Sequence, residues 1–231
     1  MKTPRRQFLA TGTTFGMAGL AVGIPGAIGA EPKELGTVEV SPAEDLMREH
    51  GVLKRILLVY GEAVRRLDAG EDLPPKPVAV AASIIRSFIE DYHEKLEEDY
   101  LFPRFKKANK LVDLTAVLLQ QHRAGRRLTD ATLRLSAEQA IQSAEERRAL
   151  SESMRLFVRM DNPHAAREDT VLFPAFHEIV DAKEYGELGE AFERREHELF
   201  GKEGFEGIVG RVAAIEKTLG IFDLSQFTAH T

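Results

Sequence analysis

His164-Ala-Ala-Arg-Glu168-Asp169-Thr-Val-Leu172-Phe173-Pro174 repeats an earlier stretch, His93-Glu94-Lys-Leu-Glu97-Glu-Asp-Tyr-Leu101-Phe102-Pro103. Both read His-x3-Glu-x3-Leu-Phe-Pro, and each matched position is separated by the same 71 residues. Two lone histidines share the frame: His50 lies 43 residues before His93, and His122 lies 42 before His164. On an α-helix, residues i and i+4 share a face, so each pair presents a ring nitrogen and a carboxylate to one region of space. An isolated His-x3-Glu is an ordinary solvated helix pair. Four of seven histidines in a duplicated frame are a different matter. Two helical hairpins, each bringing one lone His and one His-x3-Glu to a common centre, are what a two-metal site in a four-helix bundle requires.

The remainder of the chain supports four long helices. Ser41-Pro42-Ala43-Glu44 combines an N-cap Ser, Pro at the first helical position and a capping-box Glu. The helix it opens carries Leu46, His50, Leu53, Leu57, Val64 and Leu67, with Arg48, Lys54, Arg55, Arg65 and Arg66 elsewhere, and Gly70 closes it. The Pro-rich residues 71–77 read as a loop. A second helix spans about 78–107, with Pro103 expected to kink or break it. A third runs from about 113 to 135 and holds His122 between Leu118, Leu119 and Leu128. A linker over 136–143 precedes a fourth, about 144–180, which Pro163 should bend just before His164. No run alternates with strand period for long enough to count as one. The expected fold is all-α: an antiparallel four-helix bundle over 41–180, with additional C-terminal helices over 181–231 that pack as a lid or an interface.

Residues 1–30 read as a targeting segment. Arg5-Arg6-Gln7-Phe8-Leu9 is a twin-arginine signal, followed by a Gly-rich apolar run ending near Ala27-Ile-Gly-Ala30. Export by that route carries folded proteins, which suits a chain that loads its metal in the cytoplasm, so the expected location is periplasmic, with no stable membrane insertion after cleavage. The full chain has 31 basic and 37 acidic residues. Removing Lys2, Arg5 and Arg6, which no acid accompanies, leaves a formal charge of −9. That surface argues against nucleic acid and anionic lipid. Cysteine is absent, so disulfides and thiolate-held zinc or iron–sulfur clusters are excluded, leaving His, Glu and Asp as ligands.

The proposed ligand set is His50, His93, Glu94, Glu97, His122, His164 and Glu168. Four imidazoles and three carboxylates suit two six-coordinate ions joined by a solvent-derived bridge, with iron (an Fe–O–Fe centre) preferred to manganese and to tetrahedral zinc. Glu94 sits about 100° round the helix from His93; it either reaches a metal from the flank or is one more solvated acid in the run of Glu90, Asp91, Glu97 and Glu98. Of the adjacent Glu168 and Asp169 one should face the centre, and the match to Glu97 selects Glu168. His177, His197 and His230 lie outside the frame and read as surface or packing residues.

On these residues the chain resembles the bacterial hemerythrin-like proteins, the His-His-Glu cation-binding family, over roughly 41–180. The resemblance implies a bundle around a non-haem di-iron centre with His50, His93, Glu97, His122 and His164 as ligands. It differs from oxygen-carrying hemerythrins, which place a second His one turn after the third-helix His; here that position is Arg126. Their fourth-helix Asp, five residues after the His, is matched in spacing by Asp169. The His93-Glu94-x2-Glu97 arrangement is similar to members in which glutamates replace the missing His, making a more anionic site. The implied function is binding of dioxygen or a related small oxidant for sensing, storage or detoxification. The alternatives are a di-iron enzyme reducing peroxide or nitric oxide, with Tyr60, Tyr92 and Tyr100 as candidate proton donors, or a metal-binding structural protein whose C-terminal helices meet a protein partner.

Overall fold

The computed structural model describes residues 40–137 and 143–229. The targeting segment read at 1–30, the middle of the linker over 136–143 and His230 lie outside them. Among the described residues the elements are helices α1 (Pro42–Ala69), α2 (residues 75–107), α3 (Val112–Leu135), α4 (residues 144–179), α5 (Ala182–Phe200) and α6 (Gly204–Leu219), then a 3₁₀ turn at Leu224–Phe227. The fold is all-α, a helical bundle with extra C-terminal helices.

Local chemistry sets the helix ends. Ser41 Oγ accepts from the Glu44 amide while the Glu44 carboxylate accepts from the Ser41 amide at 2.9 Å, closing the expected capping box. Gly70 ends α1 at φ 68, a left-handed conformation that costs a side-chain-bearing residue, and lets Glu71 donate back to the Arg66 carbonyl. The region expected as a loop over 71–77 is shorter. Pro75 and Pro77 enter the first turn of α2, where their missing N–H groups would have had no helical partner.

Pro103 and Pro174 neither break nor stop their helices. In each case the backbone widens by one residue ahead of the proline: the Phe102 amide donates to Glu97 O and the Phe173 amide to Glu168 O, an i→i−5 pattern. An α-helical turn there would press the proline ring on the carbonyl four residues back, and the π-turn relieves that contact. A longer π-helical stretch, Ile85–His93, precedes the first motif. Pro163 sits inside the α-helical part of α4, which continues through it.

In the bundle α1 packs on α2 and α4, and α3 on α2 and α4. Its core includes Ile56, Val59, Ile84, Leu118, Leu150 and Met154. The C-terminal pair lies against α1 and α2. Phe88 meets Phe200 at 5.4 Å between ring centroids, and Tyr100 meets Phe192 at 5.5 Å. Two α1 arginines outside the apolar stripe are engaged by α6: Arg55 Nε donates to Glu216 at 2.8 Å, and Arg66 Nη2 to the Leu219 carbonyl at 2.7 Å. The burial of α1 on several sides follows from this second layer.

Phe192 is 1% exposed and Leu224 is 79% exposed. Phe192→Ala should lower unfolding free energy in urea by about 3–5 kcal/mol. Leu224→Ala should stay within about 0.5 kcal/mol of the parent. An unchanged midpoint for Phe192→Ala would mean that α5 is not docked as described.

Candidate metal centre

His50 comes from α1, His93 and Glu97 from α2, His122 from α3, and His164 and Glu168 from α4. All six are buried, the two glutamates completely. Two sets of ligating atoms, His50–His93–Glu97 and Glu97–His122–His164–Glu168, each fall within a 4.8 Å span and share Glu97. The rings form two pairs, His50 with His93 at 4.7 Å between centroids and His122 with His164 at 5.1 Å.

Each carboxylate spans both pairs. Glu97 Oε1 lies 3.8 Å from His93 Nε2, and its Oε2 lies 3.3 Å from His122 Nε2. Glu168 Oε1 lies 3.1 Å from His164 Nε2, and its Oε2 lies 3.4 Å from His50 Nε2. All four Nε2 atoms therefore point inward, and every pair of imidazoles sees one oxygen from each glutamate.

The outward Nδ1 atoms are held by acceptors that repeat with the frame. His50 Nδ1 is 2.7 Å from Asp169 Oδ1, and His122 Nδ1 is 3.1 Å from Glu98 Oε1; each acceptor directly follows a central glutamate. His93 Nδ1 is 2.7 Å from Glu49 Oε2, and His164 Nδ1 is 2.9 Å from Gln121 Oε1; each of these directly precedes a lone His. An Nδ1–H donated outward leaves the Nε2 lone pair free to face a cation, and it fixes the ring's orientation. The repeated phenylalanines complete the exchange. Phe173 stacks on His50 at 5.5 Å and Phe102 on His122 at 5.5 Å, each motif backing the other half's lone His.

The donors fit a metal pair. Among the described residues, Nε2 of His93 and of His122 and all four oxygens of Glu97 and Glu168 lack a hydrogen-bond partner. Buried carboxylates without compensation cost several kcal/mol per ion. Four neutral imidazole nitrogens and four carboxylate oxygens around one cavity form a mixed N/O set suited to six-coordinate metals.

Without cations the charges settle unevenly. Burial works against a proton on His50, but Asp169 and Glu168 outweigh it and push the ring up to about 10. His122 goes up to about 11 against its own burial, because Glu97 and Glu98 outweigh it. Burial takes His93 down to about 4. Glu168 is fully buried, yet His164 and His50 hold it well below the usual carboxylate range.

Six of the seven residues expected from the repeat meet in this way. Glu94 belongs to a third group, with Glu98 and His122, and its Oε2 lies 2.7 Å from Arg126 Nη2. Arg126, at the position of the absent fifth imidazole, also reaches Glu98 Oε1 at 2.8 Å. Asp169 contacts the outer nitrogen of His50 and Lys54 Nζ, while Glu168 faces inward. His177 is exposed and His197 is on the far helix α5. Of the four outer acceptors the sequence singled out only Asp169, and that as a candidate ligand. Their signal was available: Glu49 and Gln121 are 72 residues apart, Glu98 and Asp169 are 71 apart, as the repeat demands. Glu49 also gathers within 4.8 Å of Asp45 and of Glu196 on α5, so the C-terminal layer reaches the group that orients His93.

An antiparallel bundle with His and Glu donors converging on its axis defines a cation-binding helical protein. The sequence profile of the hemerythrin HHE cation-binding domain matches residues 41–140. Uncharacterized proteins of Mycobacterium bovis and Mycobacterium tuberculosis are 51% identical over 191 residues, covering 83% of this chain and 75% of each relative. No solved structure matches the chain. The chain belongs to the hemerythrin HHE family and is a metal-binding protein.

Asp169→Asn removes the anion on His50 Nδ1, so the His50 pKa in metal-free protein should fall from about 10. Nitrogen-detected NMR titration reads this directly, and an unmoved His50 would contradict the electrostatics above.

Proposed function

We propose that His50, His93, Glu97, His122, His164 and Glu168 hold two iron ions, and that the chain is an exported di-iron protein binding dioxygen or a related small oxidant. The observation that carries this reading is the double span of the two carboxylates. Each can bridge, giving either ion two imidazole nitrogens and two carboxylate oxygens. Those four donors per ion leave room for a solvent-derived bridge and an open position. Manganese would accept the same donors and is the second choice. When bound, the pair supplies reversible one-electron chemistry at each ion and a place for an oxygen-based ligand. Glu94, engaged by Arg126, stands beside the six as a source of local negative charge.

The protein's own part is to orient and to exclude water. The four outer acceptors present Nε2 of each ring, Phe102 and Phe173 cover the lone histidines, and the bundle keeps the central carboxylates out of solvent. The twin-arginine sequence at Arg5-Arg6 supports a periplasmic location. Among the described residues no helix is long and apolar enough to cross a membrane. An enzymatic reading, turnover of peroxide or nitric oxide, shares every ligand. Tyr60 favours it, since it is wholly buried in the bundle instead of carrying its hydroxyl to the surface.

Purified protein should carry about two irons per chain. His93→Ala or His164→Ala should lose most of them, and His197→Ala none; one zinc per chain would overturn the assignment. A reduced anaerobic sample should develop a visible charge-transfer band on exposure to oxygen, and absence of any band would remove the oxidant-binding reading.

Iron binding should also release protons near neutral pH. His50 and His122, raised to about 10 and about 11 in the metal-free protein, are protonated there and must be neutral to ligate. The sign is fixed: release is full below those values and vanishes above them, so affinity falls as pH falls. Calorimetry in buffers of different ionisation enthalpy measures it, and buffer-independent heats at pH 7 would contradict His50 and His122 as ligands.

A further inference from the structure

The repeat pairs the groove between α2 and α3 with the groove between α4 and α1. In the α4–α1 groove sits Tyr185, a half-buried side chain of α5. Its hydroxyl accepts from the Ala43 amide at 3.4 Å, and its ring lies 4.9 Å from His177 and 5.9 Å from Phe176 between centroids. The frame carries Ala43 to Thr115, 72 residues on, the same step as His50 to His122. It carries His177 back to Lys106, the 71-residue step of the two motifs. Thr115 and Lys106 both line the α2–α3 groove, a hollow of about 490 Å³ whose walls come from those two helices alone.

The walls are mostly apolar: Phe102, Pro103, Val112, Ala116 and Leu119. Pro103, Val112 and Ala116 are exposed, so this apolar surface meets water directly. The polar groups are few. Glu98 is already engaged, with Oε1 3.1 Å from His122 Nδ1 and 2.8 Å from Arg126 Nη2, and Oε2 paired with Lys95. Thr115 is buried and its Oγ1 donates to the Val112 carbonyl at 3.0 Å, which leaves the hydroxyl oxygen as an acceptor. Lys106 is exposed and adds one positive charge. An apolar hollow of this size with one acceptor and one cation suits a small aromatic ring that carries a hydroxyl.

We propose that the α2–α3 groove is a binding site for a monocyclic phenol, with the ring against Phe102 and Leu119 and the hydroxyl donating to Thr115 Oγ1. Tyr185 is the internal precedent, a phenol seated in the groove that the repeat relates to this one. The direction of the hydroxyl's bond reverses, because the Thr115 amide is committed to the Leu111 carbonyl at 3.0 Å whereas the Ala43 amide meets Tyr185. A protein partner is the poorer occupant, since a stable interface buries about 800 Å² on each side, more than a hollow with eight lining residues offers. Phe102 also stacks on His122 at 5.5 Å, so a ring in the groove is one side chain away from the metal centre without ligating there. The site is independent of what that centre holds.

The test uses the full chain as purified, with isotope-labelled methyl groups, titrated with p-cresol (the free form of a tyrosine side chain) and with toluene. p-Cresol should give saturable NMR shifts at the methyls of Val112, Thr115, Ala116 and Leu119. Toluene should bind about fivefold more weakly, the worth of one net hydrogen bond. An apolar hollow without an acceptor would favour toluene instead, because the hydroxyl gives up water on entry. Thr115→Val should erase the preference for p-cresol. Ala116→Phe, which fills the hollow from an exposed position, should abolish the shifts and keep the thermal midpoint. No saturable shift at millimolar p-cresol, toluene bound as tightly or more tightly, or shifts that survive Ala116→Phe would overturn the site. Sedimentation showing a dimer that Ala116→Phe dissociates would assign the groove to a second copy of the chain and overturn the phenol. Metal content does not enter the readout, so failure of the di-iron reading leaves this test standing.

Discussion

Two carboxylates with no exposed surface, each set between two pairs of imidazoles, are the constraint around which this bundle is built. A bundle core normally excludes charge, since moving a carboxylate from water to a protein interior costs several kcal/mol even after relaxation. In metal-free protein the cost is offset by keeping protons on His50 and His122, which the neighbouring acids make possible. Cations would offset it better, because they meet all the inward lone pairs at once. The helix faces, the outer acceptors and the π-turns are arranged to hold those donors in place.

The halves of the domain are interleaved, not merely adjacent. Each repeat supplies a central glutamate, followed by an acid that orients the other repeat's lone His. Each also supplies a phenylalanine that stacks on that same ring. The proline after it forces the helix to widen at the glutamate's carbonyl. Leu-Phe-Pro is thus a structural device of the site, not only a packing repeat. The halves differ where Glu49 is matched by Gln121, and where Arg126 follows His122 by one turn and binds Glu94 and Glu98. The second half therefore meets a fixed positive charge close to its outer shell.

Much of this was legible in the sequence because helical spacing is local. His-x3-Glu, the Ser41 capping box and the Gly70 stop each state their geometry within one turn, and the repeat fixes which residues must converge. The fourth helix, beyond the 41–140 match, was legible from the second copy of the motif. What sequence did not disclose depends on contacts between helices. Nothing near Arg55 announces Glu216, more than 150 residues away. Pro103 pointed to a kink or a break, whereas a π-turn absorbs it within a continuous helix. Glu94 stood between ligand and solvated acid until Arg126 was seen across the α2–α3 interface.

The most direct measurement of whether the six side chains hold two ions together is iron-edge X-ray absorption on the loaded, purified protein. Imidazole scattering and an iron–iron vector of about 3.5–4 Å or shorter are expected, because both glutamates can bridge. A mononuclear pattern with no iron–iron scattering would contradict the central claim.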